Sequence, residues 1–118
     1  EVIGIEENVY SIKDGERNIA INKINNYRFI RMTAERYRFR ENFDIILLNP
    51  PRPGLTSEIV KKIIEASPQR IVYISCNPST LARDLKRLKE RYDVDSVRMV
   101  DFFPNTYHIE AVTFLHLR

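Results

Sequence analysis

The sequence predicts an α/β fold: a doubly wound, mostly parallel sheet whose last strand runs antiparallel. Three observations carry this. Short runs of β-branched residues alternate with stretches of helical periodicity. Two of those runs stop at breakers, Asn49-Pro50-Pro51 and Ser75-Cys76-Asn77-Pro78, at the strand ends where open α/β sheets bind ligands. The connection through Phe103-Pro104-Asn105-Thr106 is too short for a parallel crossover, so the last two strands are antiparallel neighbours.

Taken in order, Val2-Ile3-Gly4-Ile5 is a strand ending at Glu6 and Glu7. A helical stretch from about Val9 to Asn25 has Ile12, Ile19, Ala20 and Ile24 as its stripe, with Gly15 as a weak point. Asn25-Asn26 is a turn, and Tyr27 to Met32 a second strand. Thr33 to Asn42 is a polar loop or short helix. Phe43 to Leu48 is a third strand, ended by the two prolines. Thr56 or Ser57 caps a helix whose pairs Ile59/Val60 and Ile63/Ile64 lie four apart, and Ser67-Pro68 stops it. Arg70 to Ile74 is a buried parallel strand. The next helix opens near Pro78-Ser79-Thr80, with hydroxyls as caps, and carries Leu81, Leu85 and Leu88 to about Arg91. Ser96 to Phe102 and Glu110 to Leu117 close the sheet.

A chain of 118 residues with 43% apolar content fits one domain with a real core. The single cysteine excludes an internal disulfide framework and favours a reducing compartment, so a cytoplasmic location is expected. No run is long enough to span a bilayer, and one cysteine with His108 and His116 is too few for a zinc site. The formal charge of +3 permits a polyanionic partner without arguing for one.

The candidate chemistry falls into clusters at strand ends. Cys76 lies between a strand end and a helix amino terminus, where partial positive charge favours the thiolate. A buried structural cysteine is the alternative for a lone thiol. Glu6 follows the first strand, where a carboxylate can accept both hydroxyls of a ribose; solvent-facing filler is its alternative. In Asn49-Pro50-Pro51-Arg52-Pro53-Gly54 a rigid backbone holds a carboxamide beside a guanidinium fork, or else merely turns a strand end. In the segment from Asp101 to Glu110, His108 and Glu110 are two apart and would share a face if extended. With a thiolate near by they offer a proton acceptor to a nucleophile.

The order Asn49-Pro50-Pro51-Arg52-Pro53-Gly54, then Tyr73-Ile74-Ser75-Cys76-Asn77-Pro78-Ser79-Thr80-Leu81-Ala82-Arg83-Asp84-Leu85, then Asp101-Phe102-Phe103-Pro104-Asn105-Thr106-Tyr107-His108-Ile109-Glu110 resembles the S-adenosylmethionine-dependent RNA uracil-5-methyltransferases, which act on tRNA and ribosomal RNA. The likeness runs from about Val2 to the end. It implies a Rossmann-like methyltransferase sheet, with Cys76 as nucleophile and Glu110 as general base. By the same match Glu6, Asn49 and Pro50 fall on cofactor positions. Asn49 replaces an Asp common in the family, and Thr33 an Asp or Asn near the adenine. Arg52, Asn77 and His108 are substrate candidates, and Arg83, Lys86 and Arg87 either contact RNA backbone or form a solvated helix face.

The family's domain begins with a strand and a glycine-rich turn. The three glycines here, Gly4, Gly15 and Gly54, form no Gly-x-Gly. Residues 1–118 are therefore expected to be the carboxyl-terminal part of such a domain, lacking the first strand and that turn. In isolation they should bind S-adenosylmethionine poorly and be inactive. The unpaired strand edges should pair with each other or dimerise. Two other readings stand beside this one. An amino-methyltransferase also uses an Asn-Pro-Pro turn, usually followed by an aromatic residue where this chain has Arg52. A non-catalytic remnant that only binds RNA is the other.

Overall fold

The computed structural model describes residues 1–40 and 42–118. Of the polar loop expected over residues 33–42, Glu41 lies outside the described residues. The elements are β1 (Val2–Glu6), α1 (Val9–Ile21), β2 (Tyr27–Arg31), β3 (Ile45–Leu48), α2 (Ser57–Ala66), β4 (Arg70–Ser75), α3 (Pro78–Leu88), β5 (Tyr92–Val100) and β6 (Glu110–Leu117). They form two compact units, Glu1–Arg38 and Phe39–Arg118.

In the first unit β1 and β2 pair in parallel, Val2 opposite Tyr27 through Glu6 opposite Arg31. The crossover is α1, capped by Asn8, whose side chain accepts the N–H groups of Tyr10 and Ser11. Gly15 is not the weak point the sequence suggests. A Cβ there would sit 2.4 Å from the Phe29 ring, and one at Gly4 would sit 2.9 Å from the same ring. Both glycines therefore make room for Phe29, Gly4 for the Tyr27 hydroxyl as well, and helix propensity at Gly15 yields to packing. The helix stops at Ile21 rather than Asn25, because Asn22 caps it and Lys23 turns left-handed.

In the second unit the strand order is β3-β4-β6-β5. β3 and β4 are parallel, and β6 runs antiparallel between β4 and β5. The sheet thus has three parallel strands and one reversed last strand, as the sequence predicts. The expected direct pairing of strand edges is absent among the described residues: β1–β2 and β3-β4-β6-β5 are separate sheets.

The core of this unit lies on one sheet face. Ile59, Val60 and Ile63 of α2 and Leu81 and Leu88 of α3 pack with Ile71, Tyr73, Ala111 and Leu115. Thr56 caps α2 through Ile59 N–H, and Ser67 ends it in the left-handed region at φ 48°. On the other face Ile45 and Leu47 of β3 stay exposed.

β5 begins at Tyr92, four residues earlier than the sequence suggests, and ends at Val100 rather than Phe102. Tyr92 is fully buried and donates its hydroxyl to the Pro68 carbonyl at 3.0 Å. Burial pushes that hydroxyl up to about 12. Asp93 and Asp95, which read as loop residues, face outward and pair with Arg118 and His116 across the ladder. The register steps from Val94 opposite Leu115 to Ser96 opposite Phe114, leaving Asp95 as a bulge.

Candidate functional site

Within the second unit three segments meet the same edge of the sheet. They are the loop after β3, the turn after β4 and the loop before β6.

The turn after β4 is locked from inside. Buried Ser75 accepts the Asn77 N–H with its Oγ and donates to the Asn77 carbonyl, each at 3.1 Å. Cys76, a free and partly buried thiol, is held between them. The cap of α3 is Asn77, not a hydroxyl. Its Oδ1 accepts the Ser79 N–H at 3.1 Å, with Pro78 in the first helical turn where a missing N–H costs nothing. Asn77 Nδ2 also donates to the Arg52 carbonyl at 3.4 Å, so this predicted substrate residue has structural work at both ends.

The loop after β3 is tied down onto α3. Thr80 Oγ1 donates to the Arg52 carbonyl at 3.1 Å, and Arg83 donates to the Pro53 carbonyl at 2.7 Å. The anchor is Asp84, which is fully buried. Its Oδ2 accepts Leu55 N–H at 2.8 Å and the Tyr73 hydroxyl at 2.7 Å, while Arg83 sits on Oδ1 at 2.9 Å. A buried carboxylate is tolerable only when its lone pairs are satisfied in this way. Burial first, and then the neighbouring Asp84, push the Tyr73 hydroxyl well above its ordinary value. Gly54 passes so close, at φ 79°, that a Cβ would lie 2.4 Å from Asp84 Oδ2. Asn49, Arg52 and their prolines are thus presented on a braced loop, with Asn49 and Arg52 exposed and Pro50 half-buried.

Sequence reasoning missed Asp84, Tyr73 and Ser75. The one available signal was position: Asp84 lies on the stripe of Leu81, Leu85 and Leu88, where an acid needs a partner. Two of the three basic residues expected to face RNA or solvent are engaged with it, Arg83 directly and Arg87 at 3.7 Å; Lys86 is exposed.

The β4–β6 register brings two predicted residues together. Ser75 is opposite Ala111, so Cys76, which follows the one, and Glu110, which precedes the other, stand at the same edge. Glu110 is half-buried and also opposite Val100 of β5. His108 departs from expectation. The strand starts at Glu110, so His108 lies in the loop, exposed, with its ring 4.3 Å from Tyr107 and 6.1 Å from Phe103.

The remaining predicted residues belong to the first unit. Glu6 ends β1, and its Oε1 accepts the N–H groups of Glu7 and Asn8 at 2.8 Å, which holds the carboxylate at the strand end. Thr33 follows β2, half-buried, and its carbonyl accepts Arg36 N–H in a turn. Among the described residues no group of three His, Cys, Asp or Glu could hold a metal ion, and no helix is long and apolar enough to cross a membrane.

The chain is similar to known proteins over its whole length. The family model for tRNA (uracil-5-)-methyltransferase matches residues 1–118. An uncharacterized RNA methyltransferase of Caldanaerobacter subterraneus is 42% identical, over 94% of this chain and 26% of its own length. One from Bacteroides thetaiotaomicron is 43% identical, over 100% of this chain and 27% of its own. The chain therefore spans about a quarter of the curated relatives it matches. Among solved structures, the tRNA (uracil-54, C5)-methyltransferase of Pyrococcus abyssi in complex with S-adenosyl-L-homocysteine superposes with a TM-score of 0.89 at 36% identity, over 98% of this chain and 28% of that one. An rRNA methylase of Streptococcus thermophilus, 11% identical with a TM-score of 0.72, shares the fold over 99% of this chain and 73% of its own.

Proposed function

This chain belongs to the tRNA (uracil-5-)-methyltransferase family, and from that premise we propose that it contributes the nucleophile and base for methylating carbon 5 of a uridine in tRNA or ribosomal RNA. The observation that supports this best is the ladder that sets Cys76 and Glu110 at one edge, beside a loop braced by Asp84.

Carbon 5 of uracil is a poor nucleophile until a thiolate adds to carbon 6. The Cys76 sulfur forms that bond, and the ring becomes an enolate with its electron density at carbon 5. S-adenosylmethionine, when bound, would supply the electrophilic methyl group to which carbon 5 bonds, its sulfur keeping the electron pair of the broken carbon–sulfur bond as S-adenosylhomocysteine. Glu110 then takes the proton from carbon 5, and the electron pair left behind expels the Cys76 sulfur. The target base must leave its stack to reach this edge. Residues suited to the cofactor are Glu6, whose fixed carboxylate can accept ribose hydroxyls, together with Thr33, Asn49 and Pro50. Arg52, Asn77 and His108 are the substrate candidates.

The test is covalent capture. In the intact protein, RNA carrying 5-fluorouridine at the target should form a stable adduct mapped by mass spectrometry to Cys76, because fluorine blocks the final proton removal. An amino-methyltransferase or an RNA-binding remnant forms no such bond, and its absence would sink the reading.

A further inference from the structure

The loop between β5 and β6 carries an aromatic surface that the proposed chemistry leaves unused. Phe102, Phe103 and Tyr107 are 64%, 55% and 80% exposed within six residues of chain. Their presentation is built. The Phe103 N–H donates to Asp101 Oδ1 at 3.2 Å, Thr106 Oγ1 donates to the Phe103 carbonyl at 2.7 Å, and the His108 N–H donates to Thr106 Oγ1 at 3.2 Å. Asn105 turns the chain at φ 65°, a conformation Asn tolerates better than most residues. On this brace the rings already form a short column. His108 lies against Tyr107 at 4.3 Å with planes 33° apart, and Phe103 meets His108 edge-on at 6.1 Å. Tyr107 is the exposed end of that column.

We propose that this loop is a stacking platform for the unpaired bases that flank the target nucleotide, with Tyr107 as the outermost ring. The proposal rests on the RNA reading above. Four features select a base over an apolar protein partner. A column of rings ending in an exposed aromatic matches a planar base, which can extend it. Around the rings Asp101, Asn105 and Thr106 are polar, with Pro104 and Ile109 the non-aromatic apolar residues of the loop, whereas a docking patch would surround the rings mainly with aliphatic side chains. The loop runs directly into Glu110, at the edge where Ser75 pairs with Ala111, so a strand delivering a base to Cys76 meets the loop's foot. Finally, flipping one base removes a stacking partner from its neighbours, and aromatic faces replace what is lost. Such stacking is tolerant of sequence. The platform therefore selects an unpaired target region over duplex and leaves base identity to other contacts.

The experiment is equilibrium binding of the intact protein to a hairpin RNA with the target uridine in its loop. Tyr107→Ala should weaken binding about tenfold, and Tyr107→Phe should stay within about twofold of the parent, because the ring face rather than the hydroxyl makes the contact. Tyr107→Leu should bind like the alanine variant. A single abasic nucleotide beside the target should weaken the parent similarly and cost the alanine variant nothing further. Unchanged affinity for Tyr107→Ala overturns the platform, as does a leucine variant as good as phenylalanine, which would assign the surface to an apolar protein contact. The 5-fluorouridine adduct, measured at saturating RNA on the same samples, separates the two ideas. An adduct with unchanged affinities removes the platform and leaves the uracil chemistry standing. Weakened binding by Tyr107→Ala without any adduct in the parent keeps the platform and removes the chemistry.

Discussion

At the scale of single residues, the duties proposed for Cys76 and Glu110 are separable, and substitution should expose them separately. Cys76→Ala removes the bond to carbon 6, so methyl transfer should fall to background while RNA affinity is nearly unchanged. Glu110→Gln keeps the size of the side chain and removes its ability to accept a proton. Addition and methylation would then proceed, and the methylated base would stay bonded to the protein. The expected observation is a slow-migrating protein–RNA band with ordinary RNA and cofactor. Clean turnover at the parental rate would take Glu110 out of the mechanism. Both candidates stand out in the sequence because they sit in long, distinctive signatures, and the β4–β6 register sets them at one edge. Asp84 does not, although it lies inside one of those signatures. Beyond the nearby Arg83 and Arg87, its partners are Leu55 and Tyr73, 29 and 11 residues away, and only the fold brings them to its Oδ2.

At the scale of elements, the decisive structure is the clamp between the loop after β3 and helix α3. Gly54 and Asp84 are its two sides. Gly54→Ala would place a methyl group 2.4 Å from Asp84 Oδ2 in a backbone region that disfavours L residues. Asp84→Ala would strand the buried Tyr73 hydroxyl and Leu55 N–H and cost about 3–5 kcal/mol. Removing Asp84 also removes the nearest atom that the new methyl strikes, leaving the flexible Arg83 guanidinium at 2.8 Å. The double variant should therefore lose less than the sum of the single losses in urea denaturation. Strict additivity would show that the two sides do not meet. Element types are readable from periodicity, and β6 spans Glu110 to Leu117, about where the sequence puts it. The errors fell where a distant partner decides. Asp93 and Asp95 disguised the start of β5, because their charges are met by Arg118, just past the end of β6, and by His116 within it. The cap of α3 was misassigned because Asn77 was weighed as a substrate ligand, and its carboxamide is occupied by Ser79 and Arg52.

At the scale of the whole molecule, the sheet edges set the behaviour of these 118 residues as a free polypeptide. Among the described residues β1 pairs with β2 alone and β3 with β4 alone, so one side of each outer ladder offers unpaired N–H and C=O groups. β3 adds Ile45 at 57% and Leu47 at 65% exposure on the sheet face that α2 and α3 do not cover. A short, apolar, uncharged edge lacks the devices that keep natural edges from pairing. The polypeptide should therefore self-associate in a concentration-dependent way, visible by sedimentation velocity as a shift from monomer to dimer or larger species. Leu47→Lys places a charge on that exposed face without touching the half-buried Ile46 and Leu48 side, so the folded content by circular dichroism should hold. The same change should move the population back toward monomer, because burying an unpaired ammonium between two apolar strands is costly. A parent that stays monomeric at high micromolar concentration, or a lysine variant that associates as strongly, would show that the β3 edge is not where these molecules meet.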